Sequence, residues 1–396
     1  MSSARELRAL TVPRVPDELP GAVPELRAAL DGTGPALLPL APDDPTAGET
    51  ARSLGAGEPL AEGEDSGDDP TALVIATSGS TGAPKGVLLS ASALRSSARA
   101  THEHLGGAGQ WLLAMPAHHV AGIQVLVRSV VAGLEPGVVD AREGFTAGAF
   151  AEAAEPLLGT GHRHYTALVP TQLSRLLDPA NDPRGLRALR GFDAVLVGGA
   201  ATAPALLERA RAAGVNVVTT YGMSETAGGC VYDGTPLAGV GVHVESPEPG
   251  RISLSGPTLA RGYRHSPGSA AFEGGWFRTG DVGQWRGHRL EVLGRADDMI
   301  VTGAVKVVPT SVERALVEHP DVREACVLGG PDPEWGQAVL AAVVPERTAP
   351  DERELHGLVR QRLGAAAAPK RFLVVDELPL RGPGKPDKRA LLAMFG

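Results

Sequence analysis

Ten residues, Thr77 to Gly86, read Thr-Ser-Gly-Ser-Thr-Gly-Ala-Pro-Lys-Gly and constrain this chain more than any other stretch. Their glycines let backbone N–H groups come close to an anion, their hydroxyls add donors, and Lys85 adds a positive charge. A Walker A loop would place Ser or Thr directly after its lysine to hold magnesium, whereas Gly86 and Val87 follow Lys85 here. The flanks Ala72–Ala76 and Val87–Leu89 are short apolar runs that predict two buried strands, and Ser90 is placed to cap a following helix. A phosphate-binding loop of another kind, backed by a layered core, is the reading favoured over a Gly/Ser surface linker.

The length of 396 residues predicts two or three domains. No run of about 18 uncharged apolar residues occurs, and the first residues lack the basic-then-apolar order of a secretory signal. The expectation is a cytoplasmic protein without membrane insertion. Cys230 and Cys326 stand far apart with no Cys-x-x-Cys, which predicts free thiols. The pairs His102-x-His104 and His162-x-His164 are read as solvated histidines rather than zinc ligands. A net charge of -9 argues against non-specific nucleic-acid binding, so a polyanionic ligand must be held by local donors.

Composition shifts along the chain. Residues 41–70 are rich in Pro, Gly, Asp and Glu and predict a flexible or loosely packed connector whose acidity is only solvation. From Leu73, strands and helices alternate: strands near Trp111 and at 165–169, 194–197 and 215–220, helices at 119–131, 172–177 and 203–213. This predicts a large N-terminal layered α/β domain over residues 1–295, with a β-rich subregion after Tyr221. Residues 296–396 predict a small mobile α+β domain, in which Asp351 and Glu354 form a capping box for a helix ending at Gly364.

Four further segments follow the loop in order. Tyr221-Gly222-Met223-Ser224-Glu225-Thr226 offers an aromatic face, a hydroxyl and a carboxylate within five residues after a strand. Trp276-Phe277-Arg278-Thr279-Gly280-Asp281 places a carboxylate that could accept from both ribose hydroxyls, or cap a turn. Gly294-Arg295-Ala296-Asp297 stands at a change of texture where a hinge would lie, with Gly303 beyond it. Arg381-Gly382-Pro383-Gly384-Lys385 puts a lysine on a glycine-rich loop near the end of the sequence, and a solvated tail is the competing reading.

With the first loop, these segments resemble the acyl-adenylate-forming (AMP-binding) enzymes over about Leu73 to Leu391. The resemblance implies ATP, Mg2+ and a thiol such as CoA, and two half-reactions separated by rotation of the small domain about Asp297. It implies that Thr77, Ser78, Gly79, Ser80, Thr81, Gly82 and Lys85 hold the β- and γ-phosphates. Tyr221 would stack on adenine, with Gly198, Gly199, Ala200 and Gly222 in the same pocket. Ser224 would contact the α-phosphate, Glu225 would hold magnesium, Asp281 would bind the ribose and Arg295 would support it. Lys385 would carry the adenylation chemistry, His119 would line the acyl pocket and gate the thiol, and the Gly303 loop would reach the thiol tunnel. The region before the first loop is shorter than is usual in the family, and Val301 stands where a lysine is frequent.

The short length and the stretches 115–133, 168–177 and 221–234 look most like the o-succinylbenzoate–CoA ligases of menaquinone synthesis. The second carboxylate of that acid needs donors, and Arg128, Thr171 and Gln172 are the candidates. Other aryl- or acyl-CoA ligases, stand-alone adenylating enzymes and a non-catalytic nucleotide-binding protein remain as alternatives. The sequence leaves a homo-oligomer open.

Overall fold

The structure, a computed structural model, describes residues 5–78, 84–266, 268–303, 305–380 and 386–396. The chain divides into two compact units: Met1–Ala201 with Arg209–His243 and Ser253–Arg278, and Thr202–Glu208 with Val244–Ile252 and Thr279–Gly396.

Two sheets organise the first unit. In one, the strands run in the order Leu7–Thr11, Ala36–Leu40, Thr71–Ser78, Pro84–Ser90, Gly262–Tyr263. The other has seven strands, ordered Thr235–Pro236, Gly228–Tyr232, Val217–Met223, Ala194–Val197, His164–Leu168, Gln110–Leu113, Gly137–Val138. Its pairings from Val217–Met223 to Gly137–Val138 are all parallel, which requires crossover connections. That is why the sequence alternates strand and helix and why Ala194–Val197 is apolar throughout and buried along its length. The spacing of Ile123, Val127, Val130 and Val131 predicts one apolar face on the crossover helix Val120–Ala132; the helix buries the first three but also Gln124, Arg128 and Ser129 on its other sides, leaves Val131 half-buried, and ends at Gly133 in the left-handed conformation (φ 70°). Ser90 caps the helix Ala91–His104 by accepting from Ala93 N at 3.2 Å.

Three expectations change. The strand expected to end at Thr220 runs to Met223, because Gly222 and Met223 pair with Gly229 and Gly228 of the antiparallel neighbour. Residues 41–70 are packed rather than loose: they form the helix Ala47–Ser53, bury Leu54 and Leu60, and bury the Glu64 side chain completely against Arg264. Average composition concealed these few anchoring residues. His102 and His164 are buried rather than solvated; His102 Nε2 accepts from Trp111 Nε1 at 3.1 Å, and His164 Nε2 lies 2.9 Å from Thr160 Oγ1. Burial, with Arg128 nearby, pulls the His102 pKa down to about 4.

In the second unit, one sheet runs Val305–Val307, Ile300–Thr302, Gly336–Pro345, Val322–Asp332, with Arg371–Val374 paired to Gly336–Pro345. The helices Pro309–Val317 and Glu352–Leu363 bury Val312, Leu316, Leu355 and Val359. Asp351 caps the latter by accepting from the backbone N–H of Arg353 and Glu354. The long continuous stretch of this compact unit runs from Thr279, and within it Asp281 to Arg286 pair in a hairpin with Arg289 to Arg295. Cys230 and Cys326 are both free and buried, and burial pushes each thiol up to about 12. Among the described residues, no helix is long and apolar enough to cross a membrane.

Candidate active site

The two strands flanking the first loop are antiparallel partners, with Thr77 opposite Lys85 and Ser78 opposite Pro84. Both ends of the loop are therefore held by the sheet, while Gly79, Ser80, Thr81 and Gly82 lie outside the described residues. Thr77 Oγ1 donates to Lys85 O at 3.3 Å, and Lys85 is exposed with Nζ 5.5 Å from the Tyr263 ring centroid. Gly86 serves packing instead of ligand approach. A Cβ there would come within 2.8 Å of Val74 Cγ1 and 3.0 Å of Arg264 Cβ.

The Tyr221 segment is built by close backbone approach. A Cβ on Gly222 would stand 2.1 Å from Gly228 O, so only glycine lets these strands pair. Ser224–Thr226 then makes a single 3-10 turn, closed by Ala227 in the left-handed conformation (φ 50°). Thr226 Oγ1 accepts from Met223 N at 3.0 Å and reaches Gly228 O at 2.7 Å, so its hydroxyl spans the turn. The Ala227 carbonyl accepts from Gln124 Nε2 at 2.6 Å and from Ser97 Oγ at 2.9 Å, both buried donors. Glu225 is held at both ends: its carbonyl accepts from Ala260 N at 2.8 Å, and Oε1 accepts from the Tyr263 hydroxyl at 2.9 Å. Ser224 is buried beside it.

Gly198, Gly199 and Ala200 follow the strand Ala194–Val197, whose neighbour is the parallel strand Val217–Met223. They therefore lie at the carboxyl ends of adjacent strands, where open α/β sheets bind ligands. A Cβ on Gly198 would meet Thr220 Oγ1 at 2.2 Å, and Gly199 has φ 80°, so each glycine answers a specific steric demand. Thr77, Lys85, Tyr221, Ser224 and Glu225 thus all belong to the first unit.

His119 is the exposed N-cap residue of the helix Val120–Ala132, its ring 4.0 Å from that of His118. Burial lowers the His118 pKa, opposed by Asp44 and Asp43. Thr171 is exposed at the start of the helix Pro170–Leu177. Gln172 is buried and spends its amide on the fold, accepting from Val169 N at 3.0 Å and donating to Ala114 O at 2.7 Å. Arg128 is internal as well. It is buried among Trp111, whose ring lies 4.8 Å from its Cζ, and Tyr232, whose hydroxyl accepts at 3.4 Å. Burial lowers its pKa, and its Nε is buried without a hydrogen-bond partner.

In the second unit, Asp281 is paired in register with Arg295, whose Nη1 lies 3.9 Å from Asp281 Oδ1 and whose Nη2 lies 3.1 Å from Asp297 Oδ2. Gly280 leaves room for that guanidinium, since a Cβ would come within 2.6 Å of Arg295 Nη2. Thr279 is buried, donates to Ile252 O at 2.7 Å and accepts from Asp281 N at 3.0 Å, which fixes the aspartate's backbone. Gly303 has φ 60° and donates its N–H to Trp335 O at 2.8 Å. Lys385 lies outside the described residues. Sequence reading missed Gln124, Ser97, Tyr263 and Ala260, whose contacts to the Glu225 turn span long stretches of chain. For Tyr263 a signal existed, because a Gly-Tyr pair follows the apolar Leu259-Ala260.

A glycine-rich hairpin in the five-stranded sheet, a carboxylate turn at a strand end of the seven-stranded sheet and an α+β unit are the parts of an adenylate-forming enzyme. The chain belongs to the AMP-binding enzyme family: the family's model matches residues 13–264, and that of the AMP-binding enzyme C-terminal domain matches residues 311–385. It is 46% identical over 379 residues, 94% of either chain, to the probable 2-succinylbenzoate–CoA ligase of Mycobacterium tuberculosis. Among solved structures, it resembles the amide bond synthetase McbA from Marinactinospora thermotolerans (27% identity, TM-score 0.77, covering 100% of this chain and 90% of that one). It also resembles the o-succinylbenzoate–CoA synthetase of Bacillus subtilis in complex with ATP and magnesium (26% identity, TM-score 0.74, covering 95% and 86%).

Proposed function

We propose that this protein is an ATP-dependent o-succinylbenzoate–CoA ligase of menaquinone biosynthesis. It is an AMP-forming acid–CoA ligase, as its family and CoA-ligase relatives establish, and the particular acid is the finer part of the reading. The likeness to the mycobacterial protein along nearly the whole of both chains carries that part.

In the first half-reaction, a carboxylate oxygen of the acid bonds to the α-phosphorus of ATP as the bond to the β-phosphate bridging oxygen breaks, and pyrophosphate leaves with the electron pair. Thr77, Ser78, Gly79, Ser80, Thr81, Gly82 and Lys85 hold the departing phosphates, and Ser224 contacts the α-phosphate. Tyr221 stacks on adenine beside Gly198, Gly199, Ala200 and Gly222, while Asp281 and Arg295 hold the ribose. Lys385 places positive charge where it builds up at the α-phosphate.

The donor set fits magnesium, a hard cation that takes one or two carboxylates plus substrate phosphates; the Tyr263 bond occupies one oxygen of Glu225, and a carboxylate has lone pairs to spare. Bound there, the ion neutralises phosphate charge. In the second half-reaction, the CoA thiol loses its proton to water, its sulfur bonds to the acyl carbon, and the bond from that carbon to the AMP phosphate oxygen breaks, so AMP leaves with the electron pair. His119 lines the acyl pocket and gates the thiol, Gly303 borders the thiol's path, and rotation about Asp297 exchanges the two tasks. Thr171 is the donor retained for the second carboxylate.

A second reading, adenylation followed by transfer to an amine or by use of another acid, is favoured by the likeness to McbA. Mass spectrometry of the products from o-succinylbenzoate, ATP, Mg2+ and CoA, with an amine arm and Lys385→Ala alongside, separates the two. A CoA thioester from the native chain, lost in the mutant, supports the proposal. Turnover of other acids only, or amide formation, discards the substrate assignment and keeps the family.

A further inference from the structure

Tyr263 sits where the phosphate hairpin and the carboxylate turn meet. The strand Gly262–Tyr263 adds to the edge of Pro84–Ser90 with Tyr263 opposite Val87. Lys85 is two residues from Val87 along that strand, on the same face, and is therefore the diagonal neighbour of Tyr263. The geometry agrees, with Lys85 Nζ 5.5 Å from the Tyr263 ring centroid, within cation–π range. From the same ring, the hydroxyl donates to Glu225 Oε1 at 2.9 Å. The pair is not a chance surface contact. Ala260 N–H, three residues earlier, donates to Glu225 O, and Arg264 N–H, one residue later, donates to Gly86 O at 2.7 Å. The segment from Ala260 to Arg264 is thus bonded to the Glu225 turn on one side and to the lysine strand on the other.

We propose that Tyr263 is a positioning residue for adenylate formation, whose hydroxyl fixes the Glu225 carboxylate for a divalent cation while its ring seats the Lys85 ammonium. The inference rests on the assignment of Glu225 as the metal-holding carboxylate. The phenol suits this work because its O–H is a donor aimed at a single carboxylate oxygen, while its ring lies within reach of the Lys85 ammonium. A carboxylate held by a hydrogen bond presents its remaining lone pairs in one direction, and outer partners of this kind change metal affinity by roughly 10- to 100-fold.

The test is Mn2+ binding to the full chain, read by electron paramagnetic resonance with a non-hydrolysable ATP analogue, in the native protein, Tyr263→Phe, Glu225→Gln and the double variant. Tyr263→Phe keeps the ring beneath Lys85 and removes only the hydroxyl. It is expected to weaken Mn2+ about tenfold while leaving metal-free affinity for the analogue within about twofold, and to have no further effect in the Glu225→Gln background. Unchanged Mn2+ affinity in Tyr263→Phe, with Glu225→Gln weakened, overturns the role of Tyr263 and leaves the metal assignment standing. Equal losses with and without metal overturn it too, because they mark a general loss of structure. Mn2+ binding indifferent to Glu225→Gln overturns both.

Discussion

Replacing Glu64 by glutamine should cost the first unit several kcal/mol, although the residue lies outside every motif. The Glu64 side chain has no exposed surface, and Arg264 is 6% exposed. Glu64 Oε2 accepts from Arg264 Nη1 and from Ala61 N, the latter at 2.9 Å, while Oε1 accepts from His265 N at 2.5 Å. Arg264 Nε and Nη2 are bonded to the carbonyls of Leu54 and Pro59. An amide turns two protons toward one of these donors and leaves the guanidinium buried without its counter-charge. Breaking such a pair from one side costs about 3–5 kcal/mol. At roughly 2 °C per kcal/mol for a unit of this size, the melting transition should fall by about 6–10 °C in scanning calorimetry.

The same carboxylate predicts a pH dependence. Burial pushes its pKa up, but the bonds from Ala61 and His265 and the Arg264 charge outweigh this and hold it below 4.5. Its contribution is therefore complete above the unfolded value and is lost as pH falls through the lower folded one. In Glu64→Gln, the acid side of the stability profile should flatten. A melting temperature within about 1 °C of the native value would refute the argument, since even a neutral buried hydrogen bond left unmade costs about 1 kcal/mol or more.

Three further outcomes are expected. His102 titrates near 6.5 when unfolded and about 4 when folded, so the unfolded chain takes up its proton first and stability drops as pH falls from 6.5 toward 4, by about 3 kcal/mol in all. His102→Gln should lessen that slope in urea titrations at pH 5 to 6.5. Gly222→Ala drives a Cβ into Gly228 O and should reduce ATP affinity more than tenfold in calorimetric titration, whereas alanine at Gly21, with nothing within 4 Å, should leave it unchanged. Arg128→Met removes a buried charge from over the Trp111 ring and keeps an unbranched apolar side chain, so the o-succinylbenzoate KM should stay within about twofold of native; a large rise would place Arg128 in the acyl pocket.

The sequence by itself determined the layered α/β core, the two strands that flank the glycine-rich loop and the order of the motifs. These follow from local rules: alternation of apolar runs with helical segments, and glycine where backbone must approach closely. It also placed Ser224 and Glu225 in a turn after a strand. Tertiary structure alone decided how long that strand is, because Gly222 and Met223 become strand only by pairing with Gly229 and Gly228. It decided that Glu64, in an acidic and proline-rich stretch, is a buried counter-charge for Arg264, 200 residues away. It also buried Arg128 and Gln172, two candidate ligand donors, and recruited Tyr263 and Gln124 to the Glu225 turn. The reason is the same in each case: a side chain's spacing shows which face it shares, but its partner depends on what the rest of the chain packs against that face.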